Sequence, residues 1–113
     1  MSGTTKRLAG PAYIASSATN IYVPSSSLIY GVIKQIHIAN VTSSAATFSL
    51  YIGATGGSAG GTEIEKTFTV AANSDYDRYF SNLKLVSTDF LTGICETGAS
   101  KLAITVIGEE VVV

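Results

Sequence analysis

The chain has 113 residues, enough for one domain with a single core that needs no disulfide staple. Hydrophobic residues make up 46% of it and charged residues only 13%, with a net charge of −1, so it lacks the basic stripe with which a nucleic-acid binder neutralises phosphates. Cys95 is the one cysteine and no run of eighteen apolar residues occurs, which excludes an intrachain disulfide and argues against a signal peptide or a membrane span.

Residues 1–11 are polar, contain glycine and close on Pro11, the composition of a flexible arm. The expected organisation is therefore an arm over 1–11 and a single β-sandwich domain over 12–113. A short first strand is expected at 12–15 and a second at 20–23, stopped by Pro24 and the serines Ser25, Ser26 and Ser27. Residues 28–39 read as a long strand in which Val32, Ile36 and Ile38 share one parity. Ile33 breaks that parity, the mark of a strand central in its sheet or carrying a bulge. Joined through the small polar turn at 40–46 to the run ending at Ile52, this strand reads as the central hairpin of a sandwich.

After the turn, Phe48, Leu50 and Ile52 alternate with Ser49 and Tyr51, as in a half-buried strand. Ile64, Phe68 and Val70 alternate with Glu63, Glu65, Thr67 and Thr69, and the two runs are expected to form a second hairpin around the glycine-rich loop 53–61. That loop has no room for large side chains and is expected to be mobile. The turn at 71–74 leads into 75–80, where Tyr76, Arg78 and Phe80 alternate with Asp77 and Tyr79. Further strands are expected at 89–96 and 102–113, the last with Leu102, Ile104 and Val106 inward. No helical periodicity competes with this pattern. The fold class is all-β: an antiparallel two-sheet β-sandwich, jelly-roll-like, of about seven or eight strands.

The candidates for chemistry are few. His37 is the single histidine, within a strand and without metal-ligand spacing, and reads as a structural or surface residue. Cys95, between Ile94 and Glu96, has no neighbour that would favour the thiolate and reads as a buried small residue. Asp75 with Asp77, and Glu63 with Glu65, each share a strand face; without an oxygen-rich calcium loop they read as solvated faces. The glycine loop has no lysine after it and precedes a strand, so it is no phosphate cradle. No catalytic residue, cofactor or metal ligand is expected, and the chain does not read as an enzyme.

What remains are surfaces for partners. The weakly charged exterior suits a β protein partly covered by other subunits. The interface candidates are Lys6 and Arg7 in the arm, the tyrosines Tyr51, Tyr76 and Tyr79, and the terminal valines Val111, Val112 and Val113, which expose apolar area unless they join a sheet.

Four segments carry a family likeness: Ile21-Tyr22-Val23-Pro24; Val32-Ile33-Lys34-Gln35-Ile36-His37-Ile38-Ala39-Asn40 followed by a turn of small residues; Thr47-Phe48-Ser49-Leu50-Tyr51-Ile52; and Ile104-Thr105-Val106-Ile107-Gly108-Glu109. In this order they resemble the small β-sandwich virion structural proteins of tailed bacteriophages, which serve as capsid decoration or cement, head-fibre or tail-associated proteins. The chain departs from the common form in the serine run at 25–27 and in the long 53–61 insertion. The resemblance implies a non-enzymatic virion protein, assembled in the host bacterial cytoplasm. It implies a capsid decoration protein that binds the outer shell as a homo-oligomer, with a trimer as the expected state. The partners implied are further copies of the chain and the major capsid protein or tail proteins, with neither nucleic acid nor membrane. The alternatives are a tail, collar or baseplate protein, and a carbohydrate-binding adhesin module that uses the tyrosines and the 53–61 loop.

Overall fold

The computed structural model describes residues 5–24, 26–53 and 62–112. They form eight strands: β1 (Lys6–Tyr13), β2 (Thr19–Tyr22), β3 (Ile29–Asn40), β4 (Ala46–Gly53), β5 (Glu63–Val70), β6 (Asp75–Leu85), β7 (Phe90–Cys95) and β8 (Leu102–Val112). Two four-stranded antiparallel sheets result, one in the order β1-β8-β3-β6 and the other in the order β2-β7-β4-β5. The two-sheet sandwich read from the alternation is the fold. No helix among the described residues is long and apolar enough to cross a membrane.

The pairing follows one rule. β1 pairs with β8, β2 with β7, β3 with β6 and β4 with β5. The described strands thus form a long two-stranded ribbon, doubled between β4 and β5 and wrapped so that the segments on either side of that point fall in alternate sheets. Only β4 and β5 are neighbours both in sequence and in a sheet, against the usual tendency of consecutive strands to pair. The expected second hairpin is this one, with Phe48 opposite Phe68 and Ala46 opposite Val70.

The expected central hairpin does not form. β3 and β4 lie in different sheets, facing each other across the core. Their apolar residues are the reason: Ile36 and Ile38 on one strand and Phe48 and Leu50 on the other are all buried and fill the gap between the sheets. Side by side they would cover one sheet and leave the other bare. Asn40 makes the crossing. Its side-chain amide donates to the carbonyls of Ser44 (2.9 Å) and Val70 (3.0 Å), and its Oδ1 accepts from the Thr42 amide (2.9 Å) and hydroxyl (2.8 Å). A buried amide with both ends satisfied holds a turn as firmly as a backbone ladder does.

Ile33 broke the alternation for both of the expected reasons. β3 is an interior strand between β8 and β6, and its register with each shifts between Ile33 and Gln35. At that bulge the backbones close up, and a Cβ on Gly108 would run into the Val32 carbonyl oxygen. The start of the chain differs from expectation. Lys6–Pro11, read as part of an arm, belongs to β1 and pairs along β8. Its composition is poor in strand formers, but Leu8 and Ala9 pack against the core and the neighbouring strand supplies the ladder.

The two long edges of the sandwich are finished differently. Along β5 and β6, Phe48, Phe68 and Tyr76 cluster, with the Phe68 and Tyr76 ring centres 4.2 Å apart. Outside them Arg78 Nη1 donates to Glu65 Oε1 (2.8 Å) and to the Ile64 carbonyl (2.8 Å), while the Tyr76 hydroxyl donates to the same Glu65 oxygen (2.9 Å). Glu63 and Glu65 therefore do not share a solvated face. A bulge opposite Leu50 and Tyr51 turns Glu65 toward Arg78. Along β1 and β2 the residues are small, and a cavity of about 130 Å³ opens among Ala9, Gly10, Ala12, Ile14, Ile21 and Gly93.

Candidate functional site

The cavity between β1 and β2 is small beside the 300–1,000 Å³ or so of clefts that hold small-molecule ligands. Chemistry-bearing side chains gather instead on the outer face of the β1-β8-β3-β6 sheet. Directly paired residues of antiparallel strands project from the same face, so the registers arrange that face in rows. Tyr13, Ala103, Ala39 and Asp75 form one row across the four strands, and Arg7, Ile107, Gln35 and Tyr79 another. Between them lie Thr105, His37 and Asp77, which have no partner on β1 because the bulge around Gly10 and Pro11 falls there.

The middle row places His37 against two carboxylates. Its Nδ1 lies 2.6 Å from Asp77 Oδ1, and its Nε2 lies 4.0 Å from Asp75 Oδ2. Gln35 Nε2 donates to Asp77 Oδ1 (2.9 Å) and to the Tyr79 hydroxyl (3.4 Å). The His37 hydrogen bond first, and that of Gln35 second, hold the Asp77 carboxyl below its usual range. The ligand atoms of His37, Asp75 and Asp77 all lie within 4.8 Å of one another. As the set is arranged, His37 Nδ1 and Asp77 Oδ1 engage each other, and Nε2, Asp75 and the second oxygen of Asp77 are left toward solvent. Its chemistry is that of a hydrogen-bonded surface group, and no acid, base and nucleophile converge on it.

The interface candidates are scattered. Tyr79 projects from β6 and is 71% exposed. Tyr51, expected at the surface, is 2% exposed. It sits in the middle of the second sheet, opposite Thr92 and Glu63, and its hydroxyl accepts from Lys66 Nζ at 3.2 Å. That hydrogen bond raises the Lys66 ammonium above its usual range. Tyr76, also expected at the surface, points inward and is half-buried against Phe68; burial first, then Glu65, pushes its phenol up.

Lys6 and Arg7 are both exposed on β1. Lys6 Nζ reaches Glu110 Oε1 at 2.8 Å, and the other oxygen of Glu110 accepts from the Tyr22 hydroxyl at 2.7 Å. Gly31 makes room for that ring, since a Cβ there would lie 2.6 Å from the Tyr22 oxygen. Burial, followed by Glu110, lifts the Tyr22 phenol far above its ordinary range. Arg7 has no hydrogen-bond or ion-pair partner among the described residues. Val111 and Val112 complete β8 and pair with Tyr30 and Ile29, so these valines join their own sheet. Val113 and positions 54–61 of the glycine loop lie outside the described residues.

Three exposed apolar side chains at one end of the sandwich were not foreseen in the sequence. Leu28 is 67% exposed, Val112 55% and Val86 44%, all at one end of the first sheet. Register sets them at the same end without joining them: Val112, opposite Ile29, has the parity of Gly31 and the buried Leu85, and Val86, the residue after Leu85, has the other. The exposed serine and threonine around them gave no signal of it.

No protein-family model matches the chain, and no curated protein matches it. Among solved structures, it is similar to a subunit of Bacillus endospore appendages, a family of disulfide-linked pili, with a TM-score of 0.57, 16% identity, and coverage of 100% of this chain and 91% of that one. It also aligns with a pentameric capsid protein isolated from metagenomic phage sequences, with a TM-score of 0.35 and 17% identity over 96% of this chain. The chain spans 61% of that capsid protein. The first likeness shows a shared fold; the second is too distant to carry an argument.

Proposed function

We propose that this chain is a non-enzymatic structural subunit of a phage particle, and specifically a decoration protein that binds the outer capsid shell as a homo-oligomer. The observation that carries the reading is the apolar end of the sandwich, where Leu28, Val86 and Val112 stand exposed on a chain with only 13% charged residues. Large apolar side chains left exposed at one end of a weakly charged protein are what a partner subunit would cover. The phage assignment rests on the strand motifs from Ile21 to Pro24 and from Lys34 to Asn40. The strand order supports it by analogy of fold, being that of an eight-stranded jelly roll, an architecture shared by viral capsid and lectin domains.

The lectin side of that analogy finds less support. Tyr51 and Tyr76, which an adhesin would use as a carbohydrate platform, are taken up inside the protein. A pilus-type subunit is the second reading, favoured by the full-length likeness to the endospore appendage protein. Such a pilus could not be linked through this chain's cysteine as it stands, because Cys95 is the single cysteine and is buried.

The test is assembly and shell binding. Light scattering of the purified chain should show an oligomer, and isolated expanded capsids should retain it on sedimentation. Leu28→Asp with Val112→Asp should weaken both while leaving the circular dichroism unchanged. A wild-type chain that stays monomeric and fails to sediment with capsids would overturn the decoration reading. Oligomers that elongate without limit would favour the pilus reading.

A further inference from the structure

The self-association proposed above needs a surface, and the two edges of the first sheet supply matching halves of one. We infer that copies of this chain join edge to edge, with β6 of one copy against β1 of the next, so that Arg7 of one lies on Tyr79 and beside Asp77 of the other.

β1 and β6 are the outermost strands of the same sheet, each hydrogen-bonded along one side only. An edge strand of this kind is a template for pairing unless it is covered or blunted. All pairings in the sheet are antiparallel, so β1 runs with β3 and against β6. Continuing the sheet by one strand spacing of roughly 4.8 Å therefore brings β1 of a second copy antiparallel to β6. If the rows are kept in line, Arg7 falls opposite Tyr79 and Tyr13 opposite Asp75, all on the outer face.

The chemistry of the two edges agrees with that register. β1 carries Lys6 and Arg7 and no acidic residue. Lys6 is engaged by Glu110, whereas Arg7 is exposed and without a partner among the described residues. The facing half of β6 presents Asp75, Asp77 and the exposed Tyr79. Arg78 does not compete, because it turns inward to Glu65, and Lys84 lies at the far end of the strand over the Tyr30 ring at 4.2 Å. A guanidinium over a tyrosine face is attractive, and the diagonal carboxylate of Asp77 is within reach of a side chain as long as arginine. The Tyr13 hydroxyl, exposed at the end of β1, can donate to Asp75.

The two symmetric alternatives give Arg7 no such partner. A two-fold pairing of β1 with β1 is antiparallel and sets Arg7 against the Ala12–Tyr13 end of the other copy, which carries no carboxylate, and a pairing of β6 with β6 leaves Arg7 out of the contact. Pro11 donates no N–H and the register shifts beside it, so the ladder consists of two short runs around a gap. The contact is heterologous, the kind that closes into a ring or extends as a filament according to the rotation between copies.

Mixed-cysteine cross-linking tests the contact. Arg7→Cys and Tyr79→Cys would be prepared separately in a Cys95→Ala background, mixed and oxidised, since directly opposed strand residues have a Cα separation suited to a disulfide. The mixture should cross-link much faster than either variant alone. Arg7→Glu should weaken assembly on the order of tenfold or more, and adding Asp77→Arg should restore part of it. If the wild type assembles but Arg7→Glu has no effect and the mixture cross-links no faster than the single variants, this contact is overturned while self-assembly stands. A wild type that stays monomeric at millimolar concentration overturns both.

Discussion

The side-chain amide of Asn40 donates to the carbonyl of Val70 at 3.0 Å, tying the crossover at the end of β3 to the end of β5. One residue thereby fixes both the turn that carries the chain between sheets and the edge strand that this turn passes. Asn40→Asp keeps the shape but replaces the two amide donors with an oxygen that faces the carbonyls of Ser44 and Val70. The expected cost is about 2–4 kcal/mol, measured as a fall in the urea midpoint. A loss below about 0.5 kcal/mol would mean that the crossover is held by something else.

The β5–β6 edge depends on Glu65, which accepts from both Arg78 and Tyr76. Glu65→Gln keeps a hydrogen-bond acceptor and loses the charge, and it should cost less than Glu65→Ala, which leaves both donors without their partner. A double-mutant cycle between Glu65→Ala and Arg78→Ala should give a coupling of roughly 0.5–2 kcal/mol. Additive losses would place the closure of this edge in the aromatic cluster alone.

Two tyrosines set the response to alkali. Burial, then Glu110 for Tyr22 and Glu65 for Tyr76, raises both phenols in the folded state. The folded chain keeps these protons at a pH where the unfolded chain releases them. Their contribution to stability is therefore whole below about pH 10, the ordinary tyrosine value, and is lost as the pH rises through the raised values. Urea midpoints should fall between about pH 10 and 11.5, and the difference between wild type and Tyr22→Phe should shrink over that interval. Asp77 acts in the opposite sense: its lowered carboxyl contributes above about pH 4 and loses that contribution as acid protonates it.

Gly108→Ala tests the close approach of β8 to the bulge in β3. The added methyl would meet the Val32 carbonyl and lie 3.0 Å from the Ile33 Cα. Since both strands are interior, neither can move aside, and the loss should reach roughly 3 kcal/mol or more. Urea unfolding would register it. A loss under about 1 kcal/mol would show that the two central strands can part at the bulge.

The sequence made the strands legible because alternation records which face a residue takes. Phe48 and Leu50 had to point one way, and Ile33, breaking the pattern, marked both a bulge and an interior strand. Alternation does not record a partner, which is why β3 and β4 read as a hairpin although they face each other across the core. The same gap hid the surface. His37 meets Asp77 forty positions away, and Leu28 stands at the same end of the sheet as Val112 only because Ile29 pairs with Val112. Tyr51 has outward parity yet is covered by its lateral neighbours, so parity predicted a direction where burial depended on the row. The first strand, expected at 12–15, begins at Lys6, and its start read as an arm because its ladder comes from β8 rather than from its own composition.

The doubled ribbon has a consequence for how the molecule comes into being on the ribosome. By the time Cys95 has emerged, every strand of the β2-β7-β4-β5 sheet exists and that sheet can close. The other cannot, for β8 lies in its middle and is synthesised after the seven other strands. Until then β3 has one empty flank and β1 has no partner at all, and both offer unpaired backbone to whatever chain is nearby. Pairings of such long sequence separation form slowly, so the nascent chain waits with the apolar side of a half-built sheet uncovered. Premature release, or a stall between β7 and β8, would leave a species prone to aggregate rather than a smaller folded protein.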